Sequence, residues 1–206
     1  MEPSSDIAFT PTVKALQTDR GSRASYARLE DRGGFRTAIT PDLAEFLTGI
    51  DTAYLATANA AGQPYAQHRG GPKGFIRVIG AATLGFADYT GNRQYVSVGN
   101  LADNDKAFLF LMDYANRRRI KLWGRARVIA GDEELNHRLM PENYQARAEQ
   151  AILFDVLAWD INCPQHIPQK RDSADVAMAI SHLEARIVAL ERENAALRGQ
   201  MEGNQT

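Results

Sequence analysis

A mainly β fold is what this 206-residue sequence predicts: an antiparallel barrel of six or seven strands, with short flanking helices and a separate C-terminal helix. Three observations carry the prediction. Between Asp51 and Ala158 apolar residues recur in short runs, most of them at period two, separated by glycine, proline and asparagine turn signals. Helix-prone sequence is scarce within that region, whereas a parallel sheet would need a helix between successive strands. In the tail the apolar spacing changes to alternating steps of three and four.

The elements follow in order. Residues 1–40 carry a weak helical pattern, with Val13, Leu16, Tyr26 and Leu29 as contacts and Gly21, Gly33 and Gly34 as breaks, and are expected to wrap the domain. Thr40-Pro41-Asp42-Leu43 places an N-cap residue before a proline at the first helical position, so a short helix burying Leu43, Phe46 and Leu47 should run to about Gly49. Strands are expected at Thr52–Thr57, Tyr65–Arg69, Phe75–Ile79 and Thr83–Ala87, with Asn59-Ala60-Ala61-Gly62 as the first turn. Ala107–Met112 is a continuous apolar run suited to a strand buried on both faces. Arg119–Val128 alternates cleanly, with Ile120, Leu122, Gly124, Ala126 and Val128 on one face and Arg119, Lys121, Trp123, Arg125 and Arg127 on the other. Asp132–Gln150 reads as two short helices divided by Pro141, and Ile152–Ala158 as the last strand.

In the tail, Ile180, Leu183, Ile187, Leu190, Asn194, Leu197 and Met201 form a heptad a/d row. With Ile180 at a, Arg186 and Glu193 fall at g, and Glu184, Glu191 and Arg198 at e. A parallel pair would set Arg186 against Glu191 and Glu193 against Arg198 of its mate, and Asn194 at an a position favours two strands in register. The two readings are a coiled coil and one amphipathic helix packed on its own barrel. The domains expected are a wrapping segment (1–40), a barrel (41–170) and a heptad helix with its tail (171–206).

Composition narrows the function. A formal net charge of −1 with 24% charged residues exerts no global attraction for nucleic acid. The single cysteine, Cys163, rules out an intramolecular disulfide, and His68, His137, His166 and His182 lack the close spacing of a zinc site, so no metal is expected. Met1-Glu2-Pro3-Ser4-Ser5-Asp6 lacks a basic, then apolar leader, and no apolar run approaches the roughly 20 residues needed to span a bilayer. The expectation is a cytoplasmic protein with neither nucleic acid nor membrane as partner.

Three stretches concentrate the chemistry. Gln67-His68-Arg69-Gly70-Gly71-Pro72-Lys73-Gly74-Phe75 combines close-approach glycines with two cations, which suits an anion such as phosphate and equally suits a hairpin turn. Asp88 to Leu101 supplies hydroxyls, amides and Arg93 in a polar connection able to bind a phosphorylated polyol. Trp159 to Pro168, with Asn162, Cys163, Gln165 and His166, suits the rim of a planar heteroaromatic ligand or a rigid exit from the barrel, because two prolines interrupt strand pairing.

The succession Ala-Thr-Ala-Asn-Ala-Ala-Gly-Gln-Pro-Tyr (56–65), Gln67–Phe75, Asp-Tyr-Thr-Gly-Asn (88–92), Ser-Val-Gly-Asn-Leu (97–101) and Asn-Cys-Pro-Gln-His-Ile (162–167) resembles the pyridoxamine 5'-phosphate oxidase-like family of FMN-binding split barrels. The resemblance covers roughly residues 7–170. It implies a split-barrel homodimer with FMN sites at the subunit interface. The cofactor-binding candidates it implies are Gln67, His68, Arg69, Gly70 and Gly71, then Tyr89, Thr90, Asn92, Arg93, Ser97 and Asn100, then Trp123, Trp159, Gln165 and His166. Arg69, Arg93, Ser97 and Asn100 are its phosphate or ribityl candidates, and Trp123 and the Trp159–His166 segment would come from the second subunit or the rim.

Two departures bear on activity. The oxidases carry Gly-x-Pro-x-x-Arg, whereas Gly62-Gln63-Pro64-Tyr65-Ala66 is followed here by Gln67, and their late arginine–x–histidine pair is absent. The expectation is therefore an FMN-dependent oxidoreductase, with a nicotinamide as reductant, acting on something other than pyridoxamine phosphate. The alternative is a protein that stores or senses FMN without turnover. His68 and His166 are the candidates for acid–base work, since imidazole titrates near neutrality.

Overall fold

The computed structural model describes residues 2–161 and 164–203. Two compact units divide the chain: Met1–Asp113 with Arg117–His166, and Tyr114–Asn116 with Ile167–Thr206. The first is a mainly β split barrel built on one seven-stranded antiparallel sheet, in the order β2-β1-β5-β6-β7-β4-β3.

N-terminal to the sheet lie a 3-10 turn (Ser4–Ile7), α1 (Pro11–Asp19) and α2 (Arg23–Glu30). Thr10 caps α1 by accepting from Val13 N–H at 3.3 Å, with proline at the first helical position. Gly21, Gly33 and Gly34 all have positive φ. Of the expected contacts, Val13 and Leu29 are partly buried, but Leu16 and Tyr26 are exposed. Phe35 carries the docking instead: its ring stacks on Trp123 at 5.0 Å and 5°. Arg36 bridges to Trp159 through paired backbone hydrogen bonds.

Helix α3 (Pro41–Thr48) buries Leu43, Phe46 and Leu47 and is capped by Thr40, which accepts from Leu43 N–H at 3.3 Å. A cap of this kind is typically worth about 1 kcal/mol. Strands β1 (Thr52–Ala58) and β2 (Pro64–Gly70) form the first hairpin, closed by a turn in which Gly62 takes φ 84°. Strand β3 is shorter than expected, only Arg77–Val78. Phe75 and Ile76 are drawn into the core instead of pairing. Strand β4 (Thr83–Tyr89) then pairs with the last strand.

The polar connection after β4 contains a helix the sequence pattern hid, α4 (Val96–Asp103). Strand β5 (Lys106–Asp113) buries one face, through Ala107, Leu109 and Leu111, and only half-covers the other at Phe108 and Phe110. Strand β6 (Arg118–Ile129) keeps the expected alternation, burying Ile120, Leu122, Gly124 and Ala126. Gly124 sits at a register shift beside Trp123, where an added Cβ would lie 2.2 Å from the Asp155 carbonyl oxygen, so only glycine fits that approach.

Only one helix, α5 (Glu133–Leu139), forms in the stretch expected to hold two. The polar residues after Pro141 lead into a longer final strand, β7 (Ala148–Ile161). The core is continuous from α3 across Leu55, Leu109, Leu122, Phe86 and Phe154.

In the second unit, Lys170 N–H donates to Tyr114 O at 3.2 Å, and Gln169 Nε2 donates to Ala115 O at 2.8 Å. Helix α6 (Ser173–Gly203) then runs for 31 residues. Among the described residues no helix is long and apolar enough to cross a membrane, and no group of three His, Cys, Asp or Glu is placed to hold a metal ion.

Candidate functional site

Pairing register sets the first wall. Strand β2 aligns Gln67 with Leu55 and Arg69 with Ala53, and both β1 residues face the core. Gln67 and Arg69 therefore share the inward face at the sheet edge. His68, aligned with Tyr54, points the other way and meets that ring edge-on at 5.7 Å. Arg69 forms an ion pair with Asp88 of β4, the two side chains being 13% and 10% exposed. Asp88 also accepts from Gln150 Nε2 at 2.9 Å. Desolvating two charges is costly, and this pairing plus the amide offsets it. Beyond Gly70 the chain turns: Gly74 takes φ 80° and Phe75 N–H donates to Pro72 O at 3.0 Å. The Gln67–Phe75 stretch is thus half strand and half turn, and its strand half reaches the site.

The second wall is α4. Ser97, 2% exposed, donates from Oγ to Gln67 Oε1 at 2.9 Å. One turn on, Asn100 Nδ2 donates to Thr57 Oγ1 at 3.0 Å, so this residue ties the helix to β1 from inside. Tyr95, the N-cap, has φ 55° and contributes no side-chain cap. Helix amides without a cap, with the helix dipole behind them, favour an anion at this end. Arg93 also has positive φ, at 59°. Its Nε donates to Tyr95 Oη at 2.9 Å, and that hydroxyl donates to Glu149 Oε1 at 2.7 Å. The hydrogen bond to Tyr95 raises the already high pKa of Arg93 further.

Between the walls lies a cleft of about 300 Å³, lined by Gln67, Arg69, Asp88, Tyr89, Gly91, Asn92, Arg93, Tyr95, Ser97, Val98 and Glu149. Two of its lining residues hold buried polar atoms, Arg69 Nε and Tyr89 Oη, that find no partner among the described residues. Burial raises the pKa of Tyr89, Tyr144 adds to this and Arg77 opposes it, so the phenol is neutral at pH 7.

Six of the expected residues meet at this cleft: Gln67, Arg69, Tyr89, Asn92, Arg93 and Ser97. The others do not line it. His68 is turned away by the strand period, and Asn100 is spent on Thr57. Gly70 packs near the His68 ring, Gly71 near Phe75 and the Tyr89 hydroxyl, and Thr90 N–H is taken by Arg147 O at 3.0 Å. Trp123 is stacked on Phe35. Trp159 lies inside β7 rather than after it as expected, 1% exposed and donating from Nε1 to Ala38 O at 2.8 Å. It is a core residue of this chain and not a rim. Gln165 and His166 are exposed and line no part of the cleft, and Asn162 and Cys163 lie outside the described residues.

Asp88, Tyr95 and Glu149 are cleft residues absent from the expected set. The first two lay within a stretch singled out for its polarity. Glu149 had no local signal, because it reads as part of a polar helix until the start of β7 is known.

No curated protein matches the chain. Solved structures similar to it include HupZ from Group A Streptococcus, at 18% identity and TM-score 0.48, covering 65% of this chain and 99% of that one. An FMN-binding protein from Syntrophomonas wolfei is similar at 13% identity and TM-score 0.46, covering 71% and 97%. HutZ, a heme storage protein from Vibrio cholerae, is similar at 13% identity and TM-score 0.37, covering 57% and 89%. Residues 39–182, spanning the whole sheet and every wall of the cleft, match the model of the pyridoxamine 5'-phosphate oxidase family, and the chain belongs to that family.

Proposed function

We propose that this chain is an FMN-dependent oxidoreductase whose cleft binds the phosphate and ribityl portions of the flavin. The observation that carries the reading is the convergence of Arg69 and Arg93 with Ser97, Gln67 and Asn92 on one cleft at the uncapped start of α4. Two cations and two amides, with the Ser97 hydroxyl holding Gln67 in place, are the donor set proposed for a phosphorylated polyol. Arg69 Nε and Tyr89 Oη, without a partner among the described residues, are further donors suited to the same ligand. Bound FMN supplies two-electron redox chemistry, and the protein's part is to hold the polar half, exclude water and limit access.

A volume of about 300 Å³ is at the lower end for ligand pockets. It suits half of FMN, so the ring system needs a second surface, for which a barrel homodimer is the proposed source. The absence of the oxidases' late arginine–x–histidine pair argues for a substrate other than pyridoxamine phosphate.

A second reading, FMN binding without turnover, draws support from one observation: among the described residues neither His68 nor His166 lines the cleft. An absorbance spectrum of the purified protein separates the two. Yellow protein bleached anaerobically by NADPH or NADH and recoloured by an added acceptor supports the enzyme. A flavin left oxidised by both nicotinamides supports the binding protein. Colourless protein that takes up no added FMN overturns both.

A further inference from the structure

Helix α6 leaves an apolar stripe in solvent. Val176, Ile180, Leu183, Ile187, Leu190 and Leu197 are between 40% (Leu190) and 61% (Leu183) exposed. Leucine and isoleucine rarely line up this way on a finished surface; scattered exposure is ordinary, but a continuous stripe along one helix face marks an interface. Their spacing decides which kind. From Val176 the steps are four, three, four, three, then four to Asn194 and three to Leu197, so the heptad row starts a turn earlier than Ile180.

We propose that this stripe is the binding surface for α6 of a second copy of the chain, lying parallel and in register. Three features select that occupant. The row is a two-residue heptad seam, the narrow stripe of a coiled coil rather than the wider face by which a helix packs on a globular core. In a parallel pair each Arg186 faces Glu191 of the second copy and each Glu193 faces Arg198, so the charges flanking the seam attract in both places. Asn194 fixes direction: in a parallel pair the two Asn194 amides meet and bond to each other. An antiparallel pair would set each amide among apolar d residues without a partner, which is costly when buried. The seam, the charges and the single polar layer thus agree on one partner and one alignment. The inference rests on this helix alone and is independent of the flavin reading.

The test uses the full chain with Cys163→Ser, so that the only thiol is the one introduced. Ile187→Cys and Leu190→Cys place it in the seam, and Ala185→Cys places it on the outer face. Under mild copper–phenanthroline oxidation, each seam variant is expected to form a covalent homodimer several-fold faster than the outer-face control. In the Ile187→Cys background, adding Arg186→Glu should slow cross-linking, and adding Glu191→Arg to that should restore it. This charge swap leaves the apolar seam untouched and so guards against a variant that merely unfolds. Seam thiols that cross-link no faster than Ala185→Cys overturn the proposal, whether the stripe takes another protein or its own barrel. Ile187→Cys linking to Leu190→Cys in a mixture, with neither linking to itself, overturns the parallel alignment.

Discussion

The cleft has a floor and a lip, and each presents one arginine. On the floor, Arg69 is almost enclosed, ion-paired with Asp88, which Gln150 also holds. At the lip, Arg93 is exposed in a left-handed conformation and linked through Tyr95 to Glu149. The same side chain therefore does different work in the two places. The floor arginine is part of how the barrel folds, because removing it leaves a carboxylate in a dry site. The lip arginine adds little to folding, since it is exposed and solvent takes over its contacts when it is removed.

The largest effect should come from breaking the floor. Arg69→Ala is expected to cost about 3–5 kcal/mol in urea unfolding, the usual penalty for stranding one member of a buried pair. Arg69→Met with Asp88→Asn should lose markedly less, because the charge left behind is gone and the amide can still meet Gln150. Equal losses in the single and double variants would mean that the pair is not what couples this site to the fold. Weakened FMN binding by Arg69→Ala is interpretable only beside that control.

Arg93→Ala is the counterpart at the lip. The urea midpoint should stay where it is while FMN, measured by fluorescence quenching, binds several-fold more weakly and with a shallower dependence on salt. A variant that unfolds more easily would erase the distinction between floor and lip. Ser97→Ala sharpens it from between: Ser97 is buried and gives its proton to the partly buried Gln67, so a stability loss of about 1 kcal/mol is expected, with a smaller effect on FMN.

The floor was more legible in the sequence than the structures that carry the lip. Arg69 and Gln67 belong to a strand of period two between a clear turn and a glycine run, so their common face could be read, and the same period should have excluded His68 from it. Helix α4 was hidden because Val96, Val98 and Gly99 are poor helix formers, and tertiary contacts such as Asn100 to Thr57 decide the matter. The ends of β7 were misplaced for opposite reasons. At its start, Glu149 and Gln150 look like helix surface, yet each has a specific polar partner, Tyr95 and Asp88. At its end, Pro164 and Pro168 suggested early termination, but the strand runs to Ile161 and carries Trp159 into the core. The tail was legible as a helix because its apolar spacing depends on nothing outside it.

Tyr89, next to Asp88 at the end of β4, gives the most discriminating effect. Its hydroxyl is buried without a partner among the described residues, which costs stability in the free protein and becomes favourable only when a ligand accepts from it. Tyr89→Phe should therefore leave the unliganded protein as stable as the wild type or slightly more so at pH 7, while FMN binding weakens by about 0.5–1.5 kcal/mol, the net worth of one hydrogen bond. Alkaline melts add a second reading. Burial holds the folded-state pKa of Tyr89 above the unfolded value near 10. Below about pH 10 the phenol is protonated in both states and its contribution is whole. As pH rises through the raised folded value, the unfolded chain releases the proton first and stability is lost. Wild-type melting temperature should thus fall more steeply above about pH 10 than that of Tyr89→Phe; parallel curves would place the phenol in water and remove it from the cleft's set of donors.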